Sequence, residues 1–171
     1  GLGVAWPTGR RRRTGRAMAD PAVSLIEQLS STTQLFLDTA PVIYFVEQHP
    51  RYLPLLAPLF QRLDAGELTA ITSPITLAEC LVLPLRQEKE TAVQIFIDLI
   101  VDGPSTHFHP IGQSTGKVAA RLRAQHNLTL PDALQVAVAL DAGCDAFLTN
   151  DATLHRVTDL QVIVLESYLP T

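Results

Sequence analysis

The stretch that most limits what this chain can fold into runs from Leu130 to Asp151, LPDALQVAVALDAGCDAFLTND. Pro131 and Asp132 suit a first helical turn, where a missing N–H is harmless and an acid meets the positive end of the helix dipole. Ala133 to Leu140 then forms an apolar helix in which Gln135 is the only polar residue. After a break at Gly143, the run Ala146-Phe147-Leu148-Thr149 predicts a short buried strand. A helix that leads straight into a buried strand belongs to an α/β sheet, and open parallel sheets gather their working residues at the carboxyl ends of strands. Asp132, at a helix start, and Asp151, just past a strand, can therefore share one rim.

The remaining chain repeats this alternation. Leu35-Phe36-Leu37 predicts a buried strand ending in Asp38, and Pro41 admits a helix turn behind it. Leu55, Leu56, Leu59, Phe60 and Leu63 recur at helical spacing and stop near Gly66. Leu68 to Thr72 predicts a second strand. Ser73-Pro74 is an N-cap and first-turn pair opening a helix that carries Glu79 and is expected to end at Pro84. Ala92, Ile95, Phe96, Leu99 and Ile100 mark an amphipathic helix. Thr106 to Ile111 predicts a third strand, Lys117 to Gln125 a helix, and Val162 to Leu165 a fifth strand. Before all of these, Val23 to Leu29 is a short amphipathic stretch. The order predicts an α/β domain with a mainly parallel sheet.

With 171 residues, 47% of them apolar, the chain can bury a substantial core. No apolar run approaches the roughly 18 residues that span a bilayer. Cys80 and Cys144 suggest no disulfide framework, so the expected setting is cytoplasmic, with reduced thiols. Residues 1–17 carry Arg10, Arg11, Arg12, Arg13 and Arg16 and no acid, whereas the chain from Met18 onward is acidic. The preferred account is a disordered basic leader over 1–17 followed by one domain over 18–171. An RNA-grasping arm is the alternative.

Asp38, Glu79, Asp132 and Asp151 come from distant parts of the chain but from strand ends and helix starts that face one side of such a sheet. Each has a plainer use: a first-turn dipole partner for Asp132, a turn cap for Asp151, a strand-end turn for Asp38, a solvated helix position for Glu79. Brought together without a counter-ion, two carboxylates about 4 Å apart repel by roughly 4 kcal/mol at an effective dielectric near 20. A divalent cation removes that penalty, and oxygen-only ligands select Mg2+ or Mn2+ over Zn2+. Such an ion activates water and stabilises the charge that develops on a phosphodiester. His107 and His109 share a strand face without further ligand spacing. Cys80 lacks a His partner and reads as a small buried residue. Arg86, Lys89, Arg121, Arg123 and Arg156 read as solvated charges, with phosphate contact as the alternative. Ile43 to Val46 and Leu53 to Phe60 carry more apolar surface than one sheet face covers, which suggests a partner subunit or helix.

Together, Leu35-Phe36-Leu37-Asp38-Thr39, Ser73 to Glu79, Pro131 to Ala139 and Phe147 to Asp151 resemble the PIN-domain family, and their order is most similar to its VapC-type ribonuclease toxins. The resemblance covers about Leu35 to Leu165. It implies a three-layer α/β/α sandwich with a five-stranded parallel sheet. It also implies Mg2+- or Mn2+-dependent cleavage of structured RNA such as tRNA or rRNA, a homodimer and a VapB-type antitoxin. Its acidic site maps onto Asp38, Glu79, Asp132 and Asp151, with Thr149 as the small polar residue beside the last acid. The roles implied are direct metal binding by Asp38 and Asp132 and completion of the sphere by Asp151. Glu79 would position water or a second ion, and Thr149 would hold a carboxylate. Some relatives use the fold for other RNA processing or for binding alone. A metal-dependent phosphatase usually places a second Asp two residues after the first, and here Ala40 stands there.

Overall fold

A computed structural model describes residues 19–171. The expected leader over 1–17 lies outside the described residues. Five strands form one sheet: β1 (Gln34–Leu37), β2 (Thr69–Thr72), β3 (Thr106–Phe108), β4 (Ala146–Thr149) and β5 (Gln161–Val164). Seven helices accompany them: α1 (Pro21–Gln28), α2 (Thr39–Val46), α3 (Leu53–Asp64), α4 (Pro74–Arg86), α5 (Glu90–Ile100), α6 (Gln113–His126) and α7 (Leu130–Asp141). Two 3-10 turns, Ala152–Arg156 and Leu165–Tyr168, flank β5.

The sheet order is β3-β2-β1-β4-β5, and every pairing is parallel. It is the expected three-layer α/β/α sandwich. All four residues of β4 are buried, as are Leu35, Phe36 and Leu37 of β1, which explains why Leu35 to Leu37 and Ala146 to Leu148 are apolar runs instead of alternating. Alternation appears in where the side chains go. Leu35, Leu37, Ala70, Ala146, Leu148 and Ile163 pack on one face with residues of α1, α2, α3 and α5. Phe36, Ile71 and Phe147 pack on the other with α6 and α7. There the Phe36 and Phe147 rings stack with centroids 4.7 Å apart across the β1–β4 pair.

Local chemistry sets the element ends. The Ser73 hydroxyl caps α4 by accepting the Ile75 and Thr76 N–H groups at 3.1 and 3.3 Å. Thr129 caps α7 by accepting the Asp132 N–H at 3.3 Å. At the far end of α7, Cys144 N–H reaches the Ala139 carbonyl at 2.9 Å and Gly143 N–H the Leu140 carbonyl at 3.1 Å. That pattern requires the left-handed φ of +72° that Gly143 adopts without strain.

Three expectations change. Pro84 does not end its helix: α4 continues to Arg86 with Pro84 buried inside it. Only the N–H bond to one preceding carbonyl is forfeited in this last turn, and the ring packs into the core. The third strand stops at Phe108, because Pro110 has no N–H with which to extend the ladder. The apolar surplus of Leu53 to Phe60 is core, since Leu55, Leu56, Leu59 and Phe60 are at most 4% exposed. Most of the large uncovered apolar side chains lie instead on α4 and α5, Val82, Leu83, Leu85 and Ile95, each 44–54% exposed, with Val23 on α1 and Leu130 on α7 the others among the described residues.

Candidate active site

β1 sits at the point where the chain order of the sheet reverses, with β2 on one side and β4 on the other. The crevice beyond the carboxyl ends at such a point is where open α/β sheets bind ligands. Leu37 pairs with Leu148, so the next residues along, Asp38 and Thr149, stand side by side at that crevice.

Asp38 is half-buried at the N-cap position of α2. The Thr149 hydroxyl, fully buried, donates to Asp38 Oδ2 at 2.7 Å. The Gln135 amide reaches Oδ1 at 3.4 Å. Burial pushes the Asp38 carboxyl above the usual carboxylate range, the Thr149 and Thr39 donors pull it back, and the Asp132 charge adds to the rise. Asp132 occupies the first turn of α7 and is also raised, by burial and then by the charge of Asp151. Glu79 lies on α4, exposed at the residue level, and is raised by partial burial and then by the charges of Asp38 and Asp132. Asp151 follows β4 and accepts the Thr153 N–H at 2.9 Å and hydroxyl at 2.7 Å, capping the 3-10 turn through Leu154.

Asp38, Glu79 and Asp132 thus act on one another electrostatically, and Asp151 acts on Asp132. They are neighbours in charge and not a closed cage: among the described residues, no three His, Cys, Asp or Glu side chains are gathered so as to hold an ion. Whether these residues suit a cation is decided by their chemistry. The donors are all hard oxygens, and burial first and neighbouring carboxylates second disfavour their ionisation without a counter-ion. The Thr39 hydroxyl, beside Glu79 and favouring its ionisation, is buried without a hydrogen bond of ordinary geometry. An oxygen-lined, electron-rich and incompletely satisfied rim fits a hard divalent ion.

Two groups of residues at this rim were not foreseen. Gln135 is one, and its lone polarity within an apolar helix was the available signal. The other joins Asn150 to three distant segments. Its amide nitrogen donates to Tyr44 Oη at 3.2 Å and Tyr52 Oη at 3.0 Å, and its oxygen accepts the Glu166 N–H at 2.9 Å. The two tyrosine rings stack at 4.2 Å, Tyr52 donates to the Glu166 carboxylate, and Arg51 pairs with Glu166 at 2.6 Å. No sequence spacing announces this cluster.

Other candidates fall elsewhere. Cys80 is buried with its thiol pushed up to about 12, by burial first and the Glu79 charge second, and is no nucleophile. The His107 and His109 rings lie 5.8 Å apart. Asp145, expected as a simple turn residue, lies at the opposite end of the sheet. It accepts the Thr33 N–H at 2.9 Å and the Gln34 N–H at 3.0 Å, which anchors the start of β1. Those donors hold its carboxyl below the usual range. Arg86, Lys89, Arg121, Arg123 and Arg156 are all exposed.

A model of the PIN domain matches residues 35–160. Comparison with curated proteins gives no match. Among solved structures, VapBC2 from Rickettsia felis, bound to a DNA fragment from its promoter, superposes with a TM-score of 0.61 at 18% identity, covering 77% of this chain and 98% of that chain. VapBC-1 from nontypeable Haemophilus influenzae gives 0.59 at 16% identity over 78% and 99% of the two chains. VapC20 from Mycobacterium tuberculosis, described as a sarcin-ricin loop cleaving toxin, gives 0.51 at 16% identity over 66% and 86%. At these identities the likeness is one of fold.

Proposed function

Because this chain belongs to the PIN domain family, we propose that it is a Mg2+- or Mn2+-dependent endoribonuclease, the toxin of a toxin–antitoxin pair. The observation that carries the reading is the meeting of Asp38, Glu79 and Asp132 charges at the sheet's crevice, with Asp151 beside Asp132. The substrate class is structured RNA, tRNA or rRNA, a reading supported by the sarcin-ricin loop cleavage stated for the Mycobacterium tuberculosis neighbour.

Asp38 and Asp132 would hold the ion, with Asp151 contributing directly or through water. When bound, the ion supplies Lewis-acid activation of water and offsets charge on the phosphodiester. The protein's own groups do the rest. Thr149 and Gln135 restrain the two oxygens of Asp38. Asp151 has its backbone N–H tied to Thr149 Oγ1 at 3.0 Å, so one hydroxyl couples two of the acids. Glu79, exposed and with its carboxyl raised above the usual range by burial and then by the Asp38 and Asp132 charges, is suited to orient the attacking water and accept its proton. The exposed cations Arg86, Lys89, Arg121, Arg123 and Arg156 are the available phosphate contacts.

The VapBC neighbours are complexes, and that supports a VapB-type antitoxin here. Its seat in this proposal is the groove of about 220 Å3 between α2 and the α4–α5 pair, lined by Val46, Leu83, Pro84, Ala92, Ile95 and Phe96. A homodimer completes the proposed assembly. No helix among the described residues is long and apolar enough to cross a membrane. With Cys80 and Cys144 free, a cytoplasmic setting is proposed.

The test is cleavage of total tRNA and rRNA by the full chain with Mg2+, with Mn2+ and with EDTA. Asp38→Asn and Asp132→Asn are each expected to abolish a metal-dependent activity. Cleavage that survives EDTA, or wild-type rates in both variants, removes the assignment. Metal-dependent cleavage by a chain that does not arrest growth when expressed would keep the nuclease and discard the toxin, leaving an RNA-processing role.

A further inference from the structure

Gln135 is 1% exposed, on a helix whose inward neighbours Ala133, Val136, Ala137, Val138 and Ala139 are all fully buried. An amide among such side chains is costly unless every polar atom is bonded. Here every one is. The Ser73 hydroxyl donates to Gln135 Oε1, while Nε2 donates to Thr76 Oγ1 at 2.7 Å and reaches Asp38 Oδ1 at 3.4 Å. Thr76 in turn donates to the Leu37 carbonyl at 3.2 Å, the last residue of β1.

The direction of the amide is forced. Ser73 Oγ already accepts two backbone N–H groups as the cap of α4, so its lone pairs are taken and only its proton remains to offer. The Gln135 oxygen must therefore face Ser73. Its NH2 must face Thr76 and Asp38. A helix cap on one element thus dictates that a donor is aimed at a carboxylate on another.

From this arrangement we infer that Gln135 is a positioning residue for the acidic rim. It acts through Asp38 and not on RNA. One side chain ties α7, which carries Asp132, to the start of α4, which carries Glu79, and to the end of β1, which carries Asp38. With Thr149 on the other oxygen, it fixes the rotation of the Asp38 carboxyl group. The inference rests on the metal-site reading of these acids.

Mn2+ titration of the full chain, with free Mn2+ read by electron paramagnetic resonance, tests it. Gln135→Met keeps the volume and removes the donor. It should raise the Mn2+ Kd roughly 10–100-fold, the usual consequence of losing a group that orients a ligand. A purely structural Gln135 would lower the melting temperature and leave the Kd alone, so a Kd within about twofold of wild type in a folded Gln135→Met chain overturns the inference. Should Gln135→Met not fold, Gln135→Asn, one methylene too short to bridge Ser73 and Asp38, carries the same comparison. Asp38→Asn separates the two layers. Its failure to weaken Mn2+ binding, or no binding by wild type, would sink the metal-site reading and the Gln135 role together. Binding that depends on Asp38 but ignores Gln135 sinks the Gln135 role alone.

Discussion

Thr149→Val gives the sharpest check on how Asp38 is held. The threonine is fully buried, and its hydroxyl makes two bonds: it donates to Asp38 Oδ2 at 2.7 Å and accepts the Asp151 N–H at 3.0 Å. Valine keeps the shape and the strand preference but makes neither bond. A hydrogen bond to a charged acceptor contributes about 1.5–3 kcal/mol and a neutral one about 1 kcal/mol, so the expected loss with Asp38 ionised is about 3 kcal/mol. For a chain of 171 residues that corresponds to a fall in Tm of roughly 6–12 °C. The loss depends on pH. Below the raised pKa of Asp38 the carboxyl is neutral in both proteins, only neutral bonds are lost, and the difference should shrink to about 1–2 kcal/mol. Urea unfolding followed by circular dichroism, with EDTA present and at two pH values on either side of the Asp38 titration, measures both values. Equal losses at the two pH values would refute the idea that the hydroxyl supports a charged carboxylate. A loss under about 1 kcal/mol with Asp38 ionised would refute the energetic weight given to both bonds.

Three further outcomes are expected. Asp38, Glu79 and Asp132 all have raised carboxyls, so the stability they contribute is fully present below the ordinary carboxylate pKa and is lost as pH rises through the raised values. Metal-free melting temperature should therefore decline from mildly acidic toward neutral pH, and saturating Mg2+ should flatten that decline. Asp145 has the opposite sign: its lowered carboxyl contributes stability above the ordinary value that is lost as pH falls through the lowered one. Asp145→Asn should cost about 1 kcal/mol at neutral pH, discounted for exposure, and nothing in strong acid, as read by the same denaturation assay. Leu83→Lys with Ile95→Lys, both exposed and lining the groove beside α4 and α5, should leave stability within about 0.5 kcal/mol while abolishing co-purification with a co-expressed antitoxin.

Sheet and acids were legible for different reasons. Strands such as Leu35-Phe36-Leu37 and Ala146-Phe147-Leu148 announce themselves because burial on both faces leaves no polar position, and Ser73-Pro74 and Gly143 punctuate the helices by backbone chemistry that needs no tertiary context. The acids could be placed on one rim because strand ends in a parallel sheet share a side. Tertiary override hid the rest. Pro84 reads as a terminator until its ring has a core to enter. Leu55 to Phe60 read as surplus until α3 is packed on the sheet. Asn150, Tyr44, Tyr52 and Glu166 carry no spacing rule, since their bonds exist only after the last turn of the chain docks. Gln135 was visible as an oddity, but its partners Ser73 and Asp38 lie 62 and 97 residues away.

The hydroxyl that steadies Asp38 lies 111 residues downstream of it. During synthesis, β1, β2 and β3 leave the ribosome well before α7 and β4 do. A half-made chain therefore exposes Asp38 and Glu79 while Asp132, Thr149 and Asp151 are still untranslated or inside the exit tunnel. If this rim cuts RNA, the ribosome that builds it stands beside a blunt tool until Asp151 has emerged. A message cut short before Thr149 then yields fragments that lack part of the rim.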